Sequence, residues 1–121
     1  MKTLELFAGT GSFTKVMREA GHETYQLELY PYEENPVDYV VDVKHIGKVP
    51  ALWNRNWDWV WASPPCTGFS IASVSHHWVT TDEGKRYPKS ETGREGLNML
   101  RSTLLYIALE KPKVWFIENP R

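Results

Sequence analysis

Apolar and polar positions fall into short blocks along the first quarter of the chain. Thr3 to Ala8 (TLELFA) is a mostly apolar run that stops at Gly9-Thr10-Gly11. Beyond it Phe13, Val16, Met17 and Ala20 recur at helical spacing, so the pattern predicts a strand, a tight turn and a helix. Gly21 stands where a helix ends in the left-handed conformation, and Glu23 to Leu29 (ETYQLEL) supplies a second strand rich in β-formers. A β-α-β unit is therefore predicted by Leu29.

Tyr30 to Pro36 is a turn region interrupted by two prolines, and Asp38 to Val43 (DYVVDV) is a short β-branched third strand closed by Lys44. Pro50 opens a short helix through Trp53. Asp58 to Ala62 (DWVWA) is a fourth apolar run that stops at Ser63-Pro64-Pro65, with Cys66 directly after it. Thr67 to Glu91 is polar, holds Gly68, Gly84 and Pro88, and shows no convincing period; a loop of that length in a compact domain points to function. Thr92-Gly93-Arg94-Glu95 has capping-box spacing, and Leu97, Leu100, Leu104, Ile107 and Ala108 mark the apolar face of a helix ending before Pro112. Lys113 to Ile117 (KVWFI) is a fifth strand, followed by Glu118-Asn119-Pro120-Arg121.

Strands alternating with helices or crossovers predict an α/β fold: a mostly parallel sheet with helices on both faces, binding its ligands beyond the carboxyl ends of the strands. The chemically distinctive residues all lie there. Gly9 and Gly11 follow strand one, Glu28 closes strand two, Asp42 closes strand three, Cys66 follows strand four and Glu118 follows strand five.

Composition adds constraints. At 121 residues and 41% hydrophobic content the chain suits one domain, 1–121. Lys and Arg number 14 against 15 Asp and Glu, so no overall cationic field draws in a polyanion, and composition alone gives no vote for DNA. The single cysteine excludes an internal disulfide framework and fits a reducing compartment. With no apolar run near bilayer length and Glu5 interrupting any signal-like segment, the expected location is cytoplasmic, with no membrane partner.

The glycine-containing turn Phe7 to Phe13 lets backbone amides and a helix N-terminus approach a ligand, although a plain tight turn explains it equally and the third glycine of a dinucleotide fingerprint is absent. Glu28 stands where an acid accepts hydrogen bonds from ribose hydroxyls, or is a solvated strand end. Asp42 either accepts from an adenine amino group or caps the following turn. Jointly they suit an adenosine-containing cofactor. Ser63-Pro64-Pro65-Cys66-Thr67-Gly68 fixes the backbone before a thiol and frees it after, which suits a held nucleophile better than an inert buried cysteine. Glu118, ending an apolar strand, is expected to be partly desolvated and so a proton donor, unless Asn119-Pro120 simply makes a turn. His22, His45, His76 and His77 show no metal-ligand spacing, so no metal is expected. Trp59 and Trp61 on a buried strand read as core.

In these motifs the sequence resembles the carbon-5 cytosine DNA methyltransferases, particularly the short phage-type members. LELFAGTGSF is similar to their cofactor loop, SPPCTGFS to their nucleophile loop and WFIENP to their catalytic glutamate motif, with matching order across the whole chain. Thr67 stands where the family usually has glutamine, and Pro120 where it usually has valine. The resemblance implies a Rossmann-like fold binding S-adenosylmethionine. Phe7, Gly9 and Gly11 would line the methionine end, Glu28 the ribose, Leu29 an adenine face and Asp42 the amino group, with Ala8, Phe13, Val43 and Pro64 completing the pocket. Cys66 would attack carbon 6 of a flipped cytosine in DNA, Pro65 would shape its loop, Glu118 would bond or protonate ring N3, and Asn119 would position the glutamate. Ser70 to Gly84 would act as a mobile lid, and Lys85, Arg86, Lys89 and Arg94 could meet phosphates.

The family continues past Glu-Asn with further strands and a target-recognition region, so the expectation is an incomplete domain of about five strands with no target-recognition domain. Its partners would then include a complementing C-terminal half or a second copy. The alternatives to an active methyltransferase are a silent remnant acting as an interaction module, half of a split enzyme, and methylation of a free cytosine nucleotide. A role in restriction-modification or phage genome protection would follow from the first.

Overall fold

The structure is a computed structural model and describes residues 1–65, 78–80 and 82–118. Its centre is a five-stranded parallel sheet in the order β3-β2-β1-β4-β7. The strands are β1 (Lys2–Leu6), β2 (Glu23–Glu28), β3 (Tyr39–Val40), β4 (Trp59–Ala62) and β7 (Val114–Ile117). Registers such as Leu6↔Leu27 and Leu6↔Ala62 align the carboxyl ends of the central strands along one edge.

β1 lies in the middle and is buried from Thr3 to Leu6, as a parallel strand covered on both faces must be. Side chains alternate across it. Leu4 and Leu6 join Leu27, Val60 and Ala62 on one face, beneath Val43, Ile46, Leu52, Trp57, Tyr106 and Ile107. Each of these leucines, fully buried, contributes about 1.5–3 kcal/mol. The opposite face carries Glu5, and there Thr14 of α1 (Ser12–Glu19) donates its amide to the Glu5 carboxyl. On the same face Phe13 stacks on Trp61 with ring centres 5.2 Å apart, while Phe116 leans against Trp59 and Trp61. The two tryptophans expected in the core are therefore half-buried in an aromatic layer, and the buried β4 residues are Val60 and Ala62.

The end of α1 follows the predicted left-handed glycine. Gly21 has φ +85°, its amide donates to the Arg18 carbonyl, and His22 donates to Met17. The third strand is shorter than the β-branched run suggested. After Val40 the Asp42 side chain accepts from the Lys44 amide and opens a 3-10 segment, Val43–Lys48. A second, Pro50–Leu52, starts at the expected proline.

Two elements depart from the sequence reading. The region taken as one long loop contains a hairpin, β5 (Trp78–Thr80) against β6 (Arg86–Pro88). The long helix, α2 (Glu91–Glu110), is capped by Ser90, whose hydroxyl accepts from the Gly93 amide, rather than by Thr92. Its buried face is Gly93, Gly96, Thr103, Tyr106 and Ile107, whereas Leu104 and Ala108 are exposed. The small residues let α2 pack closely on the Val43–Lys48 segment, and the Tyr106 hydroxyl anchors it by accepting from Trp57 and donating to the Leu52 carbonyl. The expected lid, Ser70 to Gly84, lies mostly outside the described residues.

β7 forms one edge of the sheet. Val114, Trp115 and Phe116 are 42%, 49% and 46% exposed, and Leu104 of α2, which lines a surface cavity with Trp115, is 44% exposed.

Candidate active site

At the carboxyl edge β1 gives way to a sharply folded turn. Phe7, Gly9 and Gly11 all have positive φ, and the Gly11 amide donates to the Ala8 carbonyl over 2.7 Å. For phenylalanine that backbone is strained by about 1–3 kcal/mol. The strain falls on a residue that lines a cavity of about 340 Å³.

Phe7, Leu27, Glu28, Leu29, Tyr30, Val41, Asp42, Val43, Pro65, Glu95 and Met99 surround this cavity. Its walls come from the ends of β1, β2 and β3, the segment after β4 and the first turns of α2, as the parallel topology requires. Glu28 is held in place by backbone donors on both oxygens, Oε1 from Gly9 at 3.0 Å and Oε2 from Leu29 at 2.9 Å. Each oxygen keeps a further lone pair for a ligand. Asp42 accepts from the Lys44 amide at 2.9 Å, so it caps the turn and lines the cavity at once. The Lys44 ammonium joins Glu95 and Asp42, and bonding to Glu95 raises its pKa. That ion pair ties the start of α2 to the cavity rim.

Phe7, Glu28, Leu29, Asp42 and Val43 thus meet in one space, with Pro65 beside them. Gly9 adjoins it through Glu28. Ala8 and Pro64 are buried, Gly11 is packed against Gln26 and Asn35, and Phe13 sits on the tryptophan face. Cys66 and Asn119 lie outside the described residues. Glu118 is exposed rather than partly desolvated, because it follows an edge strand. Its amide donates to the Ala62 carbonyl, and its carboxyl accepts from the Ser63 hydroxyl at 3.3 Å. The ends of β4 and β7 are thereby tied together, three residues before Cys66.

Glu5, Asn35, Lys44, Glu95 and Met99 were not singled out from sequence. Glu5 is 3% exposed, and burial raises its pKa against the opposing bonds from Thr14 and Phe13. Only its place two residues before Phe7, facing away from Leu4 and Leu6, hinted at this role. Among the described residues no group of three or more His, Cys, Asp and Glu side chains is gathered to hold a metal ion. Among them, too, no helix is long and apolar enough to cross a membrane.

A parallel sheet in this order, with helices on both faces and a cavity at the strand ends, is a Rossmann-like fold. No protein-family model matches the chain. A probable DNA (cytosine-5)-methyltransferase of Frog virus 3 (isolate Goorha) is 33% identical to it over 123 residues, covering 99% of this chain and 54% of the relative. The chain is thus similar to a carbon-5 cytosine methyltransferase and spans about half the length of the curated relative it matches.

Proposed function

We propose that the chain transfers a methyl group from S-adenosylmethionine to carbon 5 of cytosine in DNA, with Cys66 as nucleophile and Glu118 as its acid partner. One observation carries the reading. Pro65, joined directly to Cys66, lines the same cavity as Glu28 and Asp42, and the Glu118 carboxyl is bonded to Ser63 of the same segment.

The cavity fits the cofactor in size and in chemistry. About 340 Å³ falls within the usual range for small-molecule sites. Glu28 offers two oriented acceptors for a ribose diol, Phe7, Leu29 and Val43 offer apolar surface for a base, and Asp42 retains acceptor capacity for an amino group. When bound, the cofactor supplies a methyl group on a positively charged sulfur, an electrophile.

The protein's own residues make carbon 5 able to receive it. Thiolate addition from Cys66 at carbon 6 converts the ring into an enamine, and Glu118 bonds ring N3 as charge develops there. Once carbon 5 carries the methyl group, a base accepts the carbon-5 proton, the ring double bond re-forms and the bond to Cys66 breaks, releasing the thiolate. An exposed Glu118 is open to a base swung out of the duplex, which such chemistry needs. The exposed apolar edge at β7 favours a companion reading, in which activity depends on a complementing polypeptide or a second copy.

Radiolabelled methyl transfer to DNA tests the proposal. Wild type is expected to label cytosine and Cys66→Ser to give no label; equal signals would overturn the assignment.

A further inference from the structure

The glycine turn is gripped from a direction that the cavity does not reveal. Asn35, in the crossover between β2 and β3, is 7% exposed and does not line the cavity. Its Nδ2 donates to the Gly9 carbonyl at 2.8 Å and to Gln26 Oε1 at 2.9 Å. Gln26 is 2% exposed and projects from β2 toward the turn. Gly9 is therefore fixed at both ends, its carbonyl by Asn35 and its amide by Glu28 Oε1 at 3.0 Å.

The chemistry of the pair is specific. A carboxamide NH₂ carries two protons, and here one goes to the Gly9 backbone carbonyl and the other to the Gln26 side chain. Aspartate, with the same shape, would place an acceptor against the Gly9 carbonyl. Gln26 could turn its own amide to donate to that carboxylate, but the carbonyl of Gly9 would lose its donor.

Resting on the reading of the cavity as a nucleoside site, we infer that Asn35 is a positioning residue for ligand binding. It acts through Gly9, whose amide holds the Glu28 carboxylate toward the cavity. Removing the Asn35 donor loosens Gly9, and with it the orientation of Glu28. A part limited to satisfying buried polar groups would lower stability and leave the affinity of the folded protein unchanged.

Calorimetric titration of S-adenosylhomocysteine into the 121-residue chain separates the two. Wild type, Asn35→Asp, Glu28→Gln and the double variant are compared, each with a thermal melt. Asn35→Asp is expected to weaken binding about tenfold in the wild-type background and less than about twofold in Glu28→Gln, because one route carries both effects. If Asn35→Asp does not fold, Asn35→Ser, which keeps one donor, is read by the same two comparisons. Unchanged affinity in the folded variant overturns the inference, and so does equal weakening in both backgrounds. Failure of wild type to bind the nucleoside at all overturns the reading of the cavity instead.

Discussion

Gly9 and Gly11 occupy the same turn for different physical reasons, and alanine at each should show it. Gly11 has φ +72°, and a Cβ there would lie 2.6 Å from Gln26 Oε1, 2.8 Å from Asn35 Nδ2 and 2.9 Å from Asn35 Oδ1. Gly9 has φ +52°, with nothing within 4 Å of an added Cβ. The left-handed backbone costs alanine about 1–2 kcal/mol at either site. Overpacking adds about 1–3 kcal/mol at Gly11 alone. The atoms in the way are side-chain ends, which elsewhere would swing aside. Here both amides are buried and bonded to each other, so moving them breaks the Asn35 bonds to Gln26 and Gly9. Gly11→Ala should therefore lose about 2–5 kcal/mol and Gly9→Ala about 1–2 kcal/mol. At roughly 4 °C per kcal/mol for a chain of this size, the melting points should fall by about 8–20 °C and about 4–8 °C. Urea unfolding with an unchanged m value measures the difference directly. Equal losses, or a larger loss at Gly9, would refute the packing argument.

Two further tests follow from buried polar groups. Tyr106→Phe leaves the Trp57 indole N–H and the Leu52 carbonyl without their partner in the core, so urea unfolding should show a loss of about 2–4 kcal/mol, and a loss under about 0.5 kcal/mol would contradict the anchoring role. Glu5 has its pKa raised by burial, so its contribution to stability is full below the ordinary value of 4.5 and is lost as pH rises through the elevated folded-state value. Across that interval wild type should lose stability relative to Glu5→Gln, and parallel melting profiles of the two would show that the carboxyl does not titrate differently on folding.

What was legible in the sequence was mainly what local patterning controls. β1, the helix after it and the Gly21 stop follow from apolar spacing and one left-handed residue; the structure has the helix and the stop where expected but ends β1 at Leu6, two residues before Ala8, because Phe7 already turns to positive φ. Glu28 and Asp42 could be placed at the edge that holds the cavity because parallel topology puts every strand end there. The buried face of α2 was misjudged because hydrophobicity ranks Leu104 above Gly93, Gly96 and Thr103, whereas close approach to a neighbouring segment selects small side chains. β3 came out shorter because Asp42 serves its own turn before it can extend a strand. Glu118 was expected to be shielded by its apolar strand, but an edge strand shields little. Asn35, Lys44 and Glu95 act across distances of 9 to 51 positions, and no periodicity encodes such meetings.

The buried acid in β1 also decides what the turn can accept. Backbone donors that a pyrophosphate would ordinarily recruit are already engaged, Gly9 by Glu28, Gly11 by Ala8 and Thr14 by Glu5. An incoming polyanion would find acidic side chains where a dinucleotide site offers bare N–H groups. On the proposed reading of the cavity, the turn would then disfavour phosphorylated nucleotides and suit nucleosides whose 5′ substituent is neutral or cationic.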